Sequence, residues 1–385
     1  MTALTSVALV VGLVALVWGA DLLVRGAASI AARLGIPPVV IGLTVVAFGT
    51  SAPELAVSAS ASLDGQTDVA LGNLVGSNIA NVLLILGASA AIGGLAVSMR
   101  IIRLDVPIVV GVSVVVTLMA LDGSIGRIDG ALLFAGIVTY TVWLVRATRA
   151  PRDGAAALVA EEEIDEEVEE AIVERPLPVL VGLVVVGLAA LVAGGQLLVG
   201  SATDIAEHFG VSELVIGLTV VAVGTSLPEL ATSVMAAIRG QRDIAVGNVV
   251  GSNLFNLMGV LGITAVLADG GIPVSDAALR LDLPVMLASA IALLPIMWNG
   301  FEIRRWEGVV LLAFYVGYVT FLVLDASDHA AAAVVGPALA IVTPLVLLTF
   351  AVTGYRGWRR YQEQRQAVRV SREPPLSGRR RAPWG

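Results

Sequence analysis

The 385-residue chain contains no cysteine, no lysine and only two histidines, and charged residues make up just 14% of it. Without cysteine there are no disulfides, no thiol chemistry and no cysteine metal sites, and the redox compartment is left unmarked. His208 and His329 fall at expected helix ends outside any motif and read as interfacial residues rather than ligands. The 23 basic residues are all arginine, a bias with no mechanistic content. The shortage of charge decides the class. Soluble domains are about a quarter charged, whereas this chain is 57% hydrophobic and must be a polytopic membrane protein. Its net charge of −8 describes one loop, because many of the acids gather in the run 161–174.

Crossing about 30 Å of hydrocarbon takes about 20 apolar residues. Segments of that kind lie near 3–32, 37–63, 68–96, 104–121, 128–147, 177–206, 212–238, 243–268, 281–298 and 307–324, with an eleventh near 331–354. The first lacks a basic n-region and meets Asp21 at once, so it reads as a span rather than a signal peptide. The second five spans copy the first five. With a shift of 175, Gly42–Gly87 aligns with Gly217–Gly262 and roughly 28 of 46 positions are identical. Later the shift is 177, where Arg103-Leu104-Asp105-Val106-Pro107 matches Arg280-Leu281-Asp282-Leu283-Pro284. Five is odd, so the second copy enters the membrane from the other side. The expectation is an all-α polytopic membrane protein of two inverted-topology five-helix repeats, 1–149 and 177–325, joined by an acidic linker at 150–176. An eleventh helix within 326–355 and a basic tail, 356–385, complete it.

Arginine placement sets the orientation. With the N-terminus outside, one face collects Arg33, Arg100, Arg103, Arg146, Arg149, Arg152, Arg175, Arg239, Arg242, Arg304 and Arg305, and the other only Arg127 and Arg280. The arginine-rich face is then the cytoplasmic side of a cell membrane, and the eleventh span returns the basic tail to it. The linker lacks the alternating ligands and glycine of a calcium loop and reads as a solvated connector. The tail reads as an anchor near anionic lipid, or as a partner segment.

Each copy carries a carboxylate inside an apolar run: Gly49-Thr50-Ser51-Ala52-Pro53-Glu54 and Gly224-Thr225-Ser226-Leu227-Pro228-Glu229. A glutamate in hydrocarbon costs roughly 2.5 kcal/mol or more without partners, so its presence reads as functional. Proline lacks an N–H and clashes one turn back, which predicts a break near Gly49 that frees carbonyl oxygens. Such irregular backbone is tolerated in a membrane only where it is buried in protein or lines a cavity. Thr50, Ser51 and Glu54 share one helix face, as do Thr225, Ser226 and Glu229. The third span of each copy adds Gly72-Asn73-x-x-Gly76-Ser77-Asn78-x-x-Asn81 and Gly247-Asn248-x-x-Gly251-Ser252-Asn253-x-x-Asn256. Its glycines allow close helix approach, while Ser77 with Asn81, and Ser252 with Asn256, stand at i and i+4. Hydroxyl, carbonyl, amide and carboxylate oxygens together suit hard cations, and calcium takes six to eight of them. Any one serine or threonine alone would read as packing, and Asn73 and Asn248 as caps or ties across the break. Asp21 with Arg25 reads as a local ion pair, absent from the second copy, where Gln196 and Gly200 stand.

With these paired motifs the sequence resembles the cation/calcium antiporter superfamily, specifically prokaryotic sodium/calcium exchangers, over all ten repeat spans. The resemblance implies alternating access between a core bundle and a two-helix gate made by spans 1 and 6. It further implies that Glu54 and Glu229 are shared carboxylates for sodium and calcium. Thr50, Ser51, Thr225 and Ser226 would then be hydroxyl ligands, Ala47 and Ala222 carbonyl ligands, and Ser77, Asn81, Ser252 and Asn256 their complement. Many relatives carry aspartate where this chain has Asn256, which argues against potassium cotransport. The eleventh span and basic tail fall outside the family's ten-helix plan.

The leading expectation is antiport of sodium against calcium, since two glutamates neutralise one divalent or two monovalent ions in competition. Calcium/proton exchange is the rival, because a buried glutamate can carry a proton when no cation neutralises it. A passive cation channel is a more distant reading. An intramembrane hydrolase would need a nucleophile with its base, and neither motif holds histidine or cysteine. The expected partners are calcium and sodium ions and the lipid bilayer. No enzyme activity, cofactor or nucleic-acid partner is expected, and the oligomeric state is left open.

Overall fold

The computed structural model describes residues 3–149, 176–208 and 222–372, and these are almost entirely helical. The first half comprises α1 (Ala3–Leu34), a bent α2 (Pro38–Thr50 and Ala52–Leu63), α3 (Thr67–Gly93), α4 (Ile101–Asp122) and α5 (Arg127–Arg149). The second comprises α6 (Leu177–His208), α7 (Ala222–Gly224 and Leu227–Ile238), α8 (Arg242–Leu267), α9 (Ala278–Trp298) and α10 (Arg305–Ala326), followed by α11 (Ala332–Arg372). Nine of the described helices are long and apolar enough to cross a membrane, and ten if the bent α2 counts as one span. The start of the expected seventh span, the linker 150–175 and the chain from 373 lie outside the described residues.

One boundary differs from the sequence reading. The expected eleventh span ends at 354, but α11 runs on to Arg372. Gly354 and Gly357 do not stop it because both pack closely on α9, against Pro295 and Trp298. The first arginines of the basic tail therefore continue a helix.

The inversion of the halves can be read from four two-residue strands: β1 (Leu95–Ala96), β2 (Ser124–Ile125), β3 (Ile272–Pro273) and β4 (Glu302–Ile303). β1 pairs with β4 and β2 with β3. Thus the α3–α4 loop meets the α9–α10 loop, and the α4–α5 loop meets the α8–α9 loop. Successive crossings alternate faces, so this pairing requires halves of opposite orientation; parallel halves would pair α3–α4 with α8–α9. Matched side-chain ties support the same symmetry. Tyr140 of α5 donates to Asp105 of α4 at 2.9 Å, and Tyr318 of α10 to Asp282 of α9 at 2.8 Å.

Hydrophobicity does not distinguish a neighbouring helix from lipid, so close packing of small residues decides which helices meet. A Cβ added at Gly12 would stand 2.9 Å from the Gly194 carbonyl, and one at Gly194 2.8 Å from the Gly12 carbonyl. Gly19 and Gly187 repeat the arrangement at 2.8 Å each. These contacts join α1 to α6 along their length. Gly42 of α2 and Gly247 of α8 approach in the same way. Gly72 and Gly76 of α3, expected to do likewise, have no such neighbour among the described residues.

The Gly187→Val variant is expected to lose about 1–3 kcal/mol through overpacking, read as a lower unfolding midpoint in detergent. Gly111→Ala, with nothing within 4 Å of the added Cβ, is expected to leave that midpoint unchanged or raise it.

Candidate functional site

α2 bends by 43° between its two pieces. The break falls at Ser51, at φ −83° and ψ 7°, two residues beyond the expected Gly49, because Pro53 is accommodated in the first turn of the second piece. Ser226 and Pro228 repeat the arrangement in α7, with Ser226 at φ −88° and ψ 8°. The motif glycine has a packing role at each break. A Cβ at Gly49 would stand 2.6 Å from Leu188 of α6, and one at Gly224 would collide with Val199 of the same helix.

The two breaks bring each glutamate to the other half's serine. Ser51 donates to Glu229 Oε1 at 2.9 Å, and Ser226 to Glu54 Oε1 at 3.1 Å. The Ser77 and Ser226 hydroxyl oxygens lie 3.3 Å apart. Both glutamates are completely buried. The neighbouring threonines are exchanged in the same way. Thr50 donates to Asn248 Oδ1 and Thr225 to Asn73 Oδ1, each at 3.2 Å. Asn73 in turn donates to Ser58, and Asn248 to Ser233, each at 2.9 Å.

Asn73 and Asn248 are thus ties between halves, a role the sequence reading only partly anticipated. Ser58 and Ser233 were missed altogether, and Asn253 was noted in the motif but given no role. Their signal was present, since Ser58 and Ser233, like Asn78 and Asn253, are identical at the shift of 175.

The remaining residues divide into two groups. Asn81 donates to Asn253 Oδ1 at 3.2 Å, again between halves. The Ser252 and Asn256 side chains are buried and make no hydrogen bond among the described residues. The Ala47 carbonyl accepts from the Ser51 N–H at 3.0 Å and also lies 3.4 Å from the Thr50 hydroxyl. Ala222 opens the described part of α7, and its side chain is outside the description.

Several buried oxygens have no partner among the described residues: Glu54 Oε2, Glu229 Oε2, Asn81 Oδ1, Asn256 Oδ1 and Ser252 Oγ. Leaving such a group unsatisfied costs about 1–3 kcal/mol, and more when it is charged, and a set of oxygens of this kind suits a hard cation. Among the described residues no group of three or more His, Cys, Asp or Glu side chains gathers as a metal cage. The site has two carboxylates, supplemented by neutral oxygens.

A family model described as sodium/calcium exchanger protein matches residues 4–146 and 179–324, one half in each segment. The chain belongs to the sodium/calcium exchanger family. This exchanger is 44% identical over 314 residues to the putative antiporter CaxA of Alkalimonas amylolytica, covering 80% of this chain and 95% of that one. It is 34% identical over 346 residues to the sodium/calcium exchanger MaX1 of Methanosarcina acetivorans, covering 82% and 97%. Among solved structures, the sodium-calcium exchanger NCX_Mj, soaked with sodium and strontium, matches with a TM-score of 0.69 at 31% identity, over 82% of this chain and 97% of that one. The exchanger is therefore a transporter of the cation/calcium antiport class, and both matched segments end before α11.

The tie between halves can be measured. A double-mutant cycle of Thr50→Val with Asn248→Ala is expected to give a coupling of about 1 kcal/mol in detergent unfolding, typical of a buried hydrogen bond. Thr225→Val with Asn73→Ala is expected to give a similar value.

Proposed function

We propose that this exchanger moves sodium down its gradient and calcium in the opposite direction through one site alternately open to each face. Glu54 and Glu229 are its charged ligands. Thr50, Ser51, Thr225 and Ser226 supply hydroxyls, Ala47 and Ala222 carbonyls, and Ser77, Asn81, Ser252 and Asn256 the remaining oxygens. The observation that carries the reading is the pair of buried glutamates, each bonded through one oxygen to the opposite half and holding the other without a partner among the described residues. Two negative charges are neutralised by one calcium ion or by about two sodium ions, so each species displaces the other. Exchange follows from that competition, with α1 and α6, packed on each other, as the element that moves against the rest.

In proteoliposomes, an outward or inward sodium gradient is expected to drive calcium in the opposite direction. Glu54→Gln or Glu229→Gln is expected to reduce that flux to the protein-free background. Calcium movement driven by a proton gradient and indifferent to sodium would replace this reading with calcium/proton exchange. Calcium leak without counterflow acceleration would replace it with a channel.

The orientation belongs to the same proposal. The face carrying Arg100, Arg103, Arg304 and Arg305, with the linker and basic tail, is assigned to the cytoplasm of a cell membrane. The natural absence of cysteine makes this easy to test. A cysteine at Asp122 is expected to react with an impermeant maleimide on intact cells, and one at Glu302 only after permeabilisation; both positions are exposed.

A further inference from the structure

α11 lies beyond both family-matched segments and bridges the groove between α9 and α10. It touches α10 where a Cβ at Gly336 would stand 2.8 Å from Phe321, and α9 at Gly354 and Gly357. Beneath it is a cavity of about 460 Å³, within the range of about 300–1,000 Å³ that holds a single organic ligand. α9 lines it from Arg280 to Ala292 and α11 from Gly336 to Phe350, and Leu83 of α3 also reaches it. Twelve residues of helix span about 18 Å, close to one leaflet of a hydrocarbon layer about 30 Å thick.

The lining chemistry restricts the occupant. Its hydroxyls are already committed: Ser289 donates to the Met286 carbonyl at 2.7 Å, Thr343 to the Leu339 carbonyl at 2.7 Å, and Tyr318 to Asp282 at 2.8 Å. Along its length the cavity therefore offers a ligand little besides dispersion contact. Its one cationic group among the described residues, Arg280, stands at the end nearest the helix terminus. The partner of Arg280 is Asp276, one turn back at 3.3 Å, with both side chains more than 80% exposed, a pair of little strength. A chain-shaped apolar space one leaflet deep, with an arginine at its outer end, matches an anionic amphiphile.

We propose that the α9–α10–α11 cavity holds one acyl chain of an anionic membrane phospholipid, with its headgroup at Arg280. The bilayer supplies this ligand at saturating concentration, and α11 provides the wall that turns a surface groove into a site. Because the surrounding lipid is equally apolar, selectivity comes from shape and from the headgroup contact. The occupant would also border Leu83, two residues beyond Asn81 on α3.

The test uses the full-length exchanger in phosphatidylcholine vesicles containing a phosphatidylglycerol whose acyl chain carries a photoactivatable diazirine, with labelled peptides mapped by mass spectrometry. Label is expected on Val285–Ala292 or Leu339–Phe350, and much more weakly from the same probe built on phosphatidylcholine. Ala288→Trp and, independently, Ala340→Trp are expected to remove it while sodium-dependent calcium flux persists as the check on folding. Arg280→Gln is expected to lower the preference for phosphatidylglycerol by roughly fivefold, the effect of one basic residue near an anionic surface. Labelling that survives both tryptophans in folded protein, or equal labelling by the two headgroups, would overturn the proposal. Full displacement by oleate but not by unlabelled phosphatidylglycerol would overturn it in favour of a free fatty acid.

Discussion

Two carboxylates buried at the middle of a membrane protein constrain everything around them. Neither half of this exchanger provides the serine hydroxyl that its own glutamate binds. Glu54 depends on Ser226 and Glu229 on Ser51. Because a lone carboxylate in hydrocarbon costs several kcal/mol, either half alone would be left with an unmet charge. The duplication is thus completed by assembly of the two halves.

The architecture follows from that requirement. The strand pairings between the α3–α4 and α9–α10 loops, and between the α4–α5 and α8–α9 loops, show that the halves are inverted. Inversion lets two copies of one broken helix present their breaks to each other. Pro53 and Pro228 set the breaks, Gly49 and Gly224 let α6 lie against both of them, and Gly42 with Gly247 brings Thr50 to Asn248. π-helical turns recur at matched places, Asn81–Leu86 with Phe255–Val260 and Ile101–Asp105 with Ala278–Asp282. A π turn shifts the helix register, and at Asn81 and Asn256 it does so at two of the proposed ligands.

Much of this was legible in the sequence, and the illegible part has a physical pattern. The repeat, the spans and the paired carboxylates are local signals, carried by hydropathy and by identity at a fixed shift. The ties between halves were harder, because a fixed shift says which residues are equivalent and not which touch. Equivalence would match Asn73 with Asn248, whereas the structure joins Asn73 to Thr225 and Asn248 to Thr50. The Asp21–Arg25 pair was read as local, and at 2.9 Å it is, but Arg239 at the end of α7 also pairs with Asp21. The length of α11 was missed because its span was bounded by hydropathy, whereas the helix continues through Gly354 and Gly357, which contact α9, into the arginines beyond.

Departures from symmetry are where this chain differs from a simple duplication. Asn81 has a partner in the other half while Asn256 has none among the described residues, Asp105 stands near Arg100 at 3.7 Å while Asp282 has only Tyr318 among the bonds described, and α11 has no described counterpart. The central claim is that both halves contribute to one cation site. Anomalous diffraction from crystals soaked in strontium, a heavier stand-in for calcium, tests it most directly. The account predicts an ion within coordination distance of Glu54 Oε2 and Glu229 Oε2 together, and lost when either is replaced by glutamine. An ion held by one glutamate alone, or two ions each confined to one half, would contradict it.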